Sequence, residues 1–176
     1  MIFTPTDLAG AFIVEAEPHS DDRGAYTRTW CAREFAALGL NVSLAQSGLS
    51  YNRRRGTIRG MHMQTAPHAQ TRLVRCGRGA IYDVIIDHRP DSPTNCRWLA
   101  AELRASSRAM LYVPEGFAHG FQTLENDTEV VYHMTGFYEP AAERGIRWND
   151  PRFAITWPLS DIITSDKDRH YRDFQP

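Results

Sequence analysis

Apolar and polar residues alternate in short runs along most of the chain, and Gly, Pro, Asn and Asp fall in the gaps about every ten residues. That spacing predicts many short antiparallel strands, closed into a sandwich or barrel. The clearest runs are Arg72–Cys76 and Ala80–Asp87, separated by Gly77-Arg78-Gly79, which reads as a hairpin. Further strands are expected at 97–103, 108–113, 118–124 and 128–138. Nearer the N-terminus, 8–16 reads as a strand entering from a loop, Pro18–Gly24 as a polar turn and Ala25–Trp30 as another strand. Cys31–Leu38 favours one short helix, stopped by Gly39 in a capping position. The chain turns polar from Ser160 and is expected to end in a turn or short helix. The pattern predicts an all-β fold, a small barrel with a few short peripheral helices. It forms one domain over 1–176: a barrel core at about 44–140, N-terminal strands and helix at 8–39, and a polar tail at 160–176.

Composition narrows the function classes. A length of 176 residues suits a single domain, and 42% hydrophobic with 23% charged residues excludes disordered and fibrous chains. A net charge of −1 argues against a general nucleic-acid binder, while local basic clusters can still grip a phosphate. Cys31, Cys76 and Cys96 are odd in number and lack a short paired spacing, which predicts reduced thiols and a cytoplasmic setting. The first residues lack a basic region followed by an apolar core, so no signal peptide is expected. No apolar run approaches about 18 residues, so no membrane span is expected either.

Candidate chemistry centres on Arg53–Gln64, where Arg53, Arg54, Arg55 and Arg59 precede a single histidine, His62. Regular alternation puts Ile58, Gly60, His62 and Gln64 on one face and Arg59 on the other, unless Gly60 marks a bulge that re-aims the arginine. Tyr132 shares a face with Val130 and Met134; it is either a core aromatic or a phenol projecting into the barrel as a proton donor. Asp168 stands three residues after Ser165, the spacing of a helix capping box. The alternative is a carboxylate that fixes the tautomer of His62, with Asp166 a rival for that job. Arg72 falls on the face opposite Leu73 and Arg75; it either faces solvent or points inward to stabilise an enolate oxygen.

Pro114-Glu115-Gly116-Phe117-Ala118-His119 resembles the second sequence motif of cupin barrels. In metal-binding cupins the first motif supplies His-x-His and a nearby Glu. Here it reads His62-Met63-Gln64, and no Glu follows in the next dozen residues, so no metal is expected.

Together with Asp22-Arg23-Gly24, Ser50-Tyr51-Asn52, Gly56–His62, Gly79–Val84, Tyr112–Phe121 and Trp148–Pro151, the chain resembles the nucleotide-sugar 3,5-epimerases of the dTDP-4-dehydrorhamnose type. The resemblance implies a cupin-type jelly roll, no metal or cofactor, and a homodimer with exchanged N-terminal strands. It also implies a dTDP-4-keto-6-deoxyhexose substrate whose ketone acidifies the C3 and C5 hydrogens. His62 paired with Asp168 would remove a proton, Arg72 would face the enolate oxygen, and Tyr132 would return a proton from the other side. Arg23 and Arg59 correspond to diphosphate ligands, His119 and Tyr138 to the sugar pocket, and Gln46 to a nucleotide contact. The chain departs from the family with Arg72 for the usual Lys, Gly48 for a common Asn, and Met63 and His133 at positions that usually differ. A mono-epimerase, a metal-dependent cupin and a non-catalytic sugar-nucleotide-binding barrel are the alternatives.

Overall fold

A computed structural model describes residues 1–175. The strands are β1 (Ile2–Pro5), β2 (Phe12–Glu15), β3 (Pro18–Asp21), β4 (Gly24–Thr27), β5 (Gln46–Asn52), β6 (Ile58–Gln64), β7 (Arg72–Arg78) and β8 (Ala80–Asp87). They continue with β9 (Trp98–Arg104), β10 (Ala109–Val113), β11 (Phe117–Thr123), β12 (Thr128–Met134) and β13 (Glu143–Gly145). Two short helices, α1 (Ala32–Ala36) and α2 (Asp166–Arg169), lie outside them. One antiparallel sheet runs β1-β2-β10-β7-β12-β5 and the other β13-β6-β11-β8-β9. Their facing sides close the antiparallel sandwich that the alternation predicted, in the cupin-type jelly roll that the family resemblance implied. Val74 and Cys76 of β7, Leu111 and Val113 of β10 and Val130 of β12 meet Ile81, Ile85, Leu103, Phe117 and Phe121 of the other sheet in one core.

The expected hairpin across Gly77–Gly79 does not form. β7 pairs with β10 and β12, whereas β8 pairs with β9 and β11. The chain crosses between sheets at Gly79, whose φ is +79° and where a Cβ would lie 2.5 Å from Thr128 Oγ1. Both runs carry inward apolar residues, and crossing lets those residues bury against each other across the core instead of side by side in one sheet. Three further boundaries move. The strand expected at 8–16 is β2 alone, preceded by β1 and a turn in which Thr6 N–H donates to Ala11 C=O at 3.0 Å. The polar turn at 18–24 is a small exposed hairpin, β3 with β4, that pairs only with itself. The strand expected to reach 138 stops at Met134.

Both ends of the chain wrap the barrel from outside. On the six-stranded sheet, Phe35 of α1 is fully buried against Val14, Leu73, Met110 and Tyr112, a burial worth about 2 kcal/mol or more. On the five-stranded sheet, Ile146 and Phe153 pack with Met61, Val84, Ile86 and Ala118, and Ile155, Trp157 and Phe174 close over them. Hydrogen bonds stitch this tail to the start of β6: Ile58 N–H donates to Ile163 C=O at 2.7 Å, and Ile163 N–H to Gly56 C=O at 3.0 Å. Three residues later α2 begins, so the tail delivers Asp168 beneath β6. No helix among the described residues is long and apolar enough to cross a membrane.

Candidate active site

The site is set by a bulge in β6. Opposite β11, His119 pairs with His62 but Phe121 pairs with Arg59, so β6 spends one residue more than its partner between those points. Gly60 takes up the irregularity at φ +136°, and a Cβ there would lie 2.5 Å from Gly120 Cα. The extra residue turns Arg59 to the same side as His62, and both line one cavity. Of the two orientations the alternation left open for Arg59, the bulged one is observed.

Two histidine–aspartate pairs stand at this end of the barrel. His62 Nε2 lies 2.7 Å from Asp168 Oδ1, and Gly60 N–H donates to Asp168 Oδ2 at 3.2 Å. Both readings of Asp168 hold at once: its backbone N–H donates to Ser165 Oγ at 3.1 Å, which caps α2, while its side chain turns inward. Burial works to raise the Asp168 carboxyl, but the His62 imidazole, the Gly60 amide and the cap outweigh it and hold it below the usual carboxylate range. An ionised carboxylate keeps the proton on the ring nitrogen it faces and leaves the other nitrogen free to act as a base. Asp166 is not the partner; its side chain is 90% exposed and sits 3.8 Å from Arg169. In the second pair, His119 Nε2 lies 2.7 Å from Asp83 Oδ1, and both residues are buried.

The cavity encloses about 320 Å³ and is lined by Arg59, His62, Arg72, His119, Tyr132 and Tyr138 among others. Arg72 points inward, as one of its two readings required, and donates from Nη1 to the His62 carbonyl at 3.0 Å. Burial weighs against its charge, which Tyr132, Glu143 and Asp83 support. Tyr132 stands edge-on to His119 with ring centroids 5.9 Å apart. Burial raises its phenol well above the ordinary value, and Asp83 adds to the shift against Arg72 and Arg59. Tyr132 therefore stays protonated at neutral pH. Arg59 is steered by Asn52, whose Oδ1 accepts from its Nε at 2.7 Å.

Two sequence candidates lie elsewhere. Gln46 does not line the cavity; its Oε1 accepts the Tyr138 N–H at 2.8 Å and so holds the segment carrying that ring. Arg23 sits on the exposed β3–β4 hairpin, 90% exposed and paired with Asp21, away from the cavity of its own chain. Asp83 and Glu143 were missed. An aspartate inside the apolar run Ala80–Ile86 was a legible signal for the first. Glu143 had none: only the fold brings it to the cavity, where it accepts from Tyr138 Oη at 2.8 Å and meets Lys167 Nζ at 2.6 Å. Among the described residues no three His, Cys, Asp or Glu side chains are grouped to hold a metal.

A jelly roll with an imidazole–carboxylate pair, an inward arginine and a buried phenol around one cavity has the equipment of a proton-transferring isomerase. The profile of the dTDP-4-dehydrorhamnose 3,5-epimerase family matches residues 5–176, and the chain belongs to that family. It is 39% identical to a dTDP-4-dehydrorhamnose 3,5-epimerase of Sinorhizobium fredii, over 96% of this chain and 87% of the relative. It is 35% identical to a dTDP-4-dehydrorhamnose 3-epimerase of Streptomyces niveus, over 96% and 82%. Among solved structures, the Bacillus anthracis dTDP-4-dehydrorhamnose 3,5-epimerase with TDP and PPi bound superposes with a TM-score of 0.95. Its identity is 41%, over 98% of this chain and 99% of that one.

Proposed function

We propose that the chain inverts both carbons flanking the ketone of a dTDP-4-keto-6-deoxyhexose. The observation that carries this reading is the placement of His62, oriented by Asp168, and a protonated Tyr132 on opposite sheets around one cavity. His62 takes the proton from a carbon next to the ketone through the ring nitrogen that Asp168 leaves free. The charge moves to the ketone oxygen as an enolate, near which Arg72 supplies a fixed positive charge. Tyr132 donates a proton to the opposite face of the carbon, which inverts it. Arg59, on the His62 side of the cavity, holds the diphosphate, for which a forked guanidinium suits paired oxygens. The cytoplasmic setting belongs to the same proposal and rests on the free thiols of Cys31, Cys76 and Cys96.

The direct test is incubation with dTDP-4-keto-6-deoxyglucose in deuterated water, followed by NMR at C3 and C5. Deuterium at both carbons supports the reading. Deuterium at one carbon only makes the chain a mono-epimerase like the Streptomyces niveus relative, and no exchange at either removes this substrate.

The homodimer belongs to this proposal too. Inside the chain β1 pairs with β2 and β2 with β10, so the element free to be exchanged is the β3–β4 hairpin. It carries Arg23 away from its own cavity and exposes Tyr26, which suits delivery of Arg23 to a second copy. Mixing Arg23→Ala chains with His62→Ala chains tests this. If the arm crosses, the mixture regains sites with both residues and its activity exceeds the mean of the two variants. Simple averaging would mean that each Arg23 serves its own chain.

A further inference from the structure

Tyr171 belongs to the polar tail, two residues beyond α2, and no step so far uses it. Its ring lies on Gly145 of β13, the residue directly opposite His62 in the strand pairing. A Cβ on Gly145 would fall 2.0 Å from the Tyr171 ring, so the bare backbone at 145 is what gives the ring its seat. From there it meets His62 edge-on, with ring centroids 6.2 Å apart. Tyr171 lines neither the main cavity nor the neighbouring cleft formed by Arg59, His62 and Asp168, so it covers the imidazole on a side that substrate does not use. Its hydroxyl is buried and has no hydrogen-bond partner among the described residues. A phenol that leaves its hydroxyl unsatisfied is held there by its ring.

We propose that Tyr171 is a positioning residue for His62: its ring closes the rear of the His62–Asp168 pair to water. The proton lifted from substrate is then kept on the imidazole and not lost to solvent before the next transfer. This inference rests on His62 acting as the base. Removing a substrate C–H proton puts it on His62 and the electron pair into the enolate. From that state the proton either returns to the same carbon or exchanges with water, while Tyr132 protonates the other face. The shield slows only the exchange branch.

Tyr171→Ala and Tyr171→Phe separate ring from hydroxyl. In deuterated water, the deuterium content of recovered, unreacted substrate is measured relative to product formed. Tyr171→Ala should raise that ratio several-fold with kcat and KM nearly unchanged, and Tyr171→Phe should match the wild type in all three. A second readout needs no substrate: the rate at which diethyl pyrocarbonate modifies His62 in the free protein, followed by peptide mass spectrometry. It should rise several-fold in the Ala variant and stay put in the Phe variant. An unchanged modification rate in the Ala variant overturns the shield. A lower melting temperature with an unchanged deuterium ratio would make Tyr171 a structural residue only. A Phe variant as impaired as the Ala variant would give the role to the hydroxyl and overturn the proposal as stated. If the wild-type protein exchanges neither carbon, the proposed function has failed, and the modification rates still decide whether the ring covers His62.

Discussion

The two histidine–aspartate pairs have the same 2.7 Å contact and different surroundings. His119 and Asp83 sit on adjacent strands of one sheet, are 3% and 0% exposed at the side chain, and leave Asp83 Oδ2 buried without a partner among the described residues. His62 is 30% exposed at the side chain, and its aspartate comes 106 residues later in the chain, on a single helical turn of the tail. The first pair is part of the barrel wall. The second is assembled across an opening, with water and substrate within reach of the imidazole. A buried, incompletely satisfied pair holds its neighbours rigidly but responds badly to change. A half-open pair can bind and release a proton in each turnover. The same two side chains are therefore suited to support in one place and to chemistry in the other.

The largest effects should come from breaking the chemistry. His62→Ala and Tyr132→Phe should each lower turnover by about 10²–10⁴-fold, the usual contribution of a positioned acid or base. Affinity for dTDP should be retained in both, as read by calorimetric titration. Loss of nucleotide binding in both variants would assign these residues structural roles. The same removal on the other pair, which is buried although His119 lines the cavity beside Tyr132, should act chiefly on stability. Asp83→Ala strips the partner from a fully buried histidine and should cost about 3–5 kcal/mol, or roughly 10 °C in melting temperature for a chain of this size. Asp168→Ala should cost less, about 1–3 kcal/mol for the Gly60 amide and the imidazole it leaves unmet, while its loss of turnover should approach that of His62→Ala. Equal melting temperatures for the two aspartate variants would abolish the distinction between the pairs.

How much of this contrast was legible beforehand depends on sequence distance. Period-two alternation predicted the strands and grouped Tyr132 with Val130 and Met134, because those facts are local to one strand, but it left Arg72 either solvent-facing or inward. His62, Asp168 and Asp166 were singled out as chemical groups, yet their spacing could not choose between the two aspartates; tail packing and the bonds of Ile163 make that choice. Regular alternation along β6 also left Arg59 undecided, since the bulge exists only because Gly60 must approach Gly120 on another strand. The Gly77–Gly79 hairpin was misread for the same reason. Two glycines announce a turn, and whether the next strand stays in the sheet or crosses the core is decided by where Ile81 and Ile85 find partners. Arg23 marks a different limit: it lies exposed and away from the cavity of its own chain, so the role proposed for it rests on a second copy.

Arg59 gives a smaller, sharper version of the contrast. It lies on the open side with His62, donates from Nε to Asn52 Oδ1 at 2.7 Å and from Nη2 to the Tyr51 carbonyl at 3.5 Å, and borders the clefts. Arg59→Ala should remove a charge-assisted contact worth about 1.5–3 kcal/mol. That corresponds to a KM roughly ten- to a hundredfold higher, with kcat changed far less. Steady-state kinetics would show the split, and a fall in kcat alone would move Arg59 from binding to the chemical step.

The smallest effect is one of pH. The folded protein holds Asp168 below its ordinary value of 3.8, so ionised Asp168 stabilises the fold wherever the unfolded chain would also be ionised. That contribution is whole above about pH 4 and is lost as pH falls through the lowered folded value. Asp87 behaves the same way, drawn down to about 2 because Arg89, Ser92 and Thr94 outweigh its burial. The two differ in what removal does. Asp168→Asn keeps the shape but cannot titrate, so its stability deficit relative to wild type should shrink as pH is lowered from about 4 towards 2. Urea unfolding at a series of pH values measures both curves. A deficit that stays constant down to pH 2 would show that the His62 contact does not depend on the Asp168 charge, and the half-open pair would then owe its stability to packing, as the buried pair does.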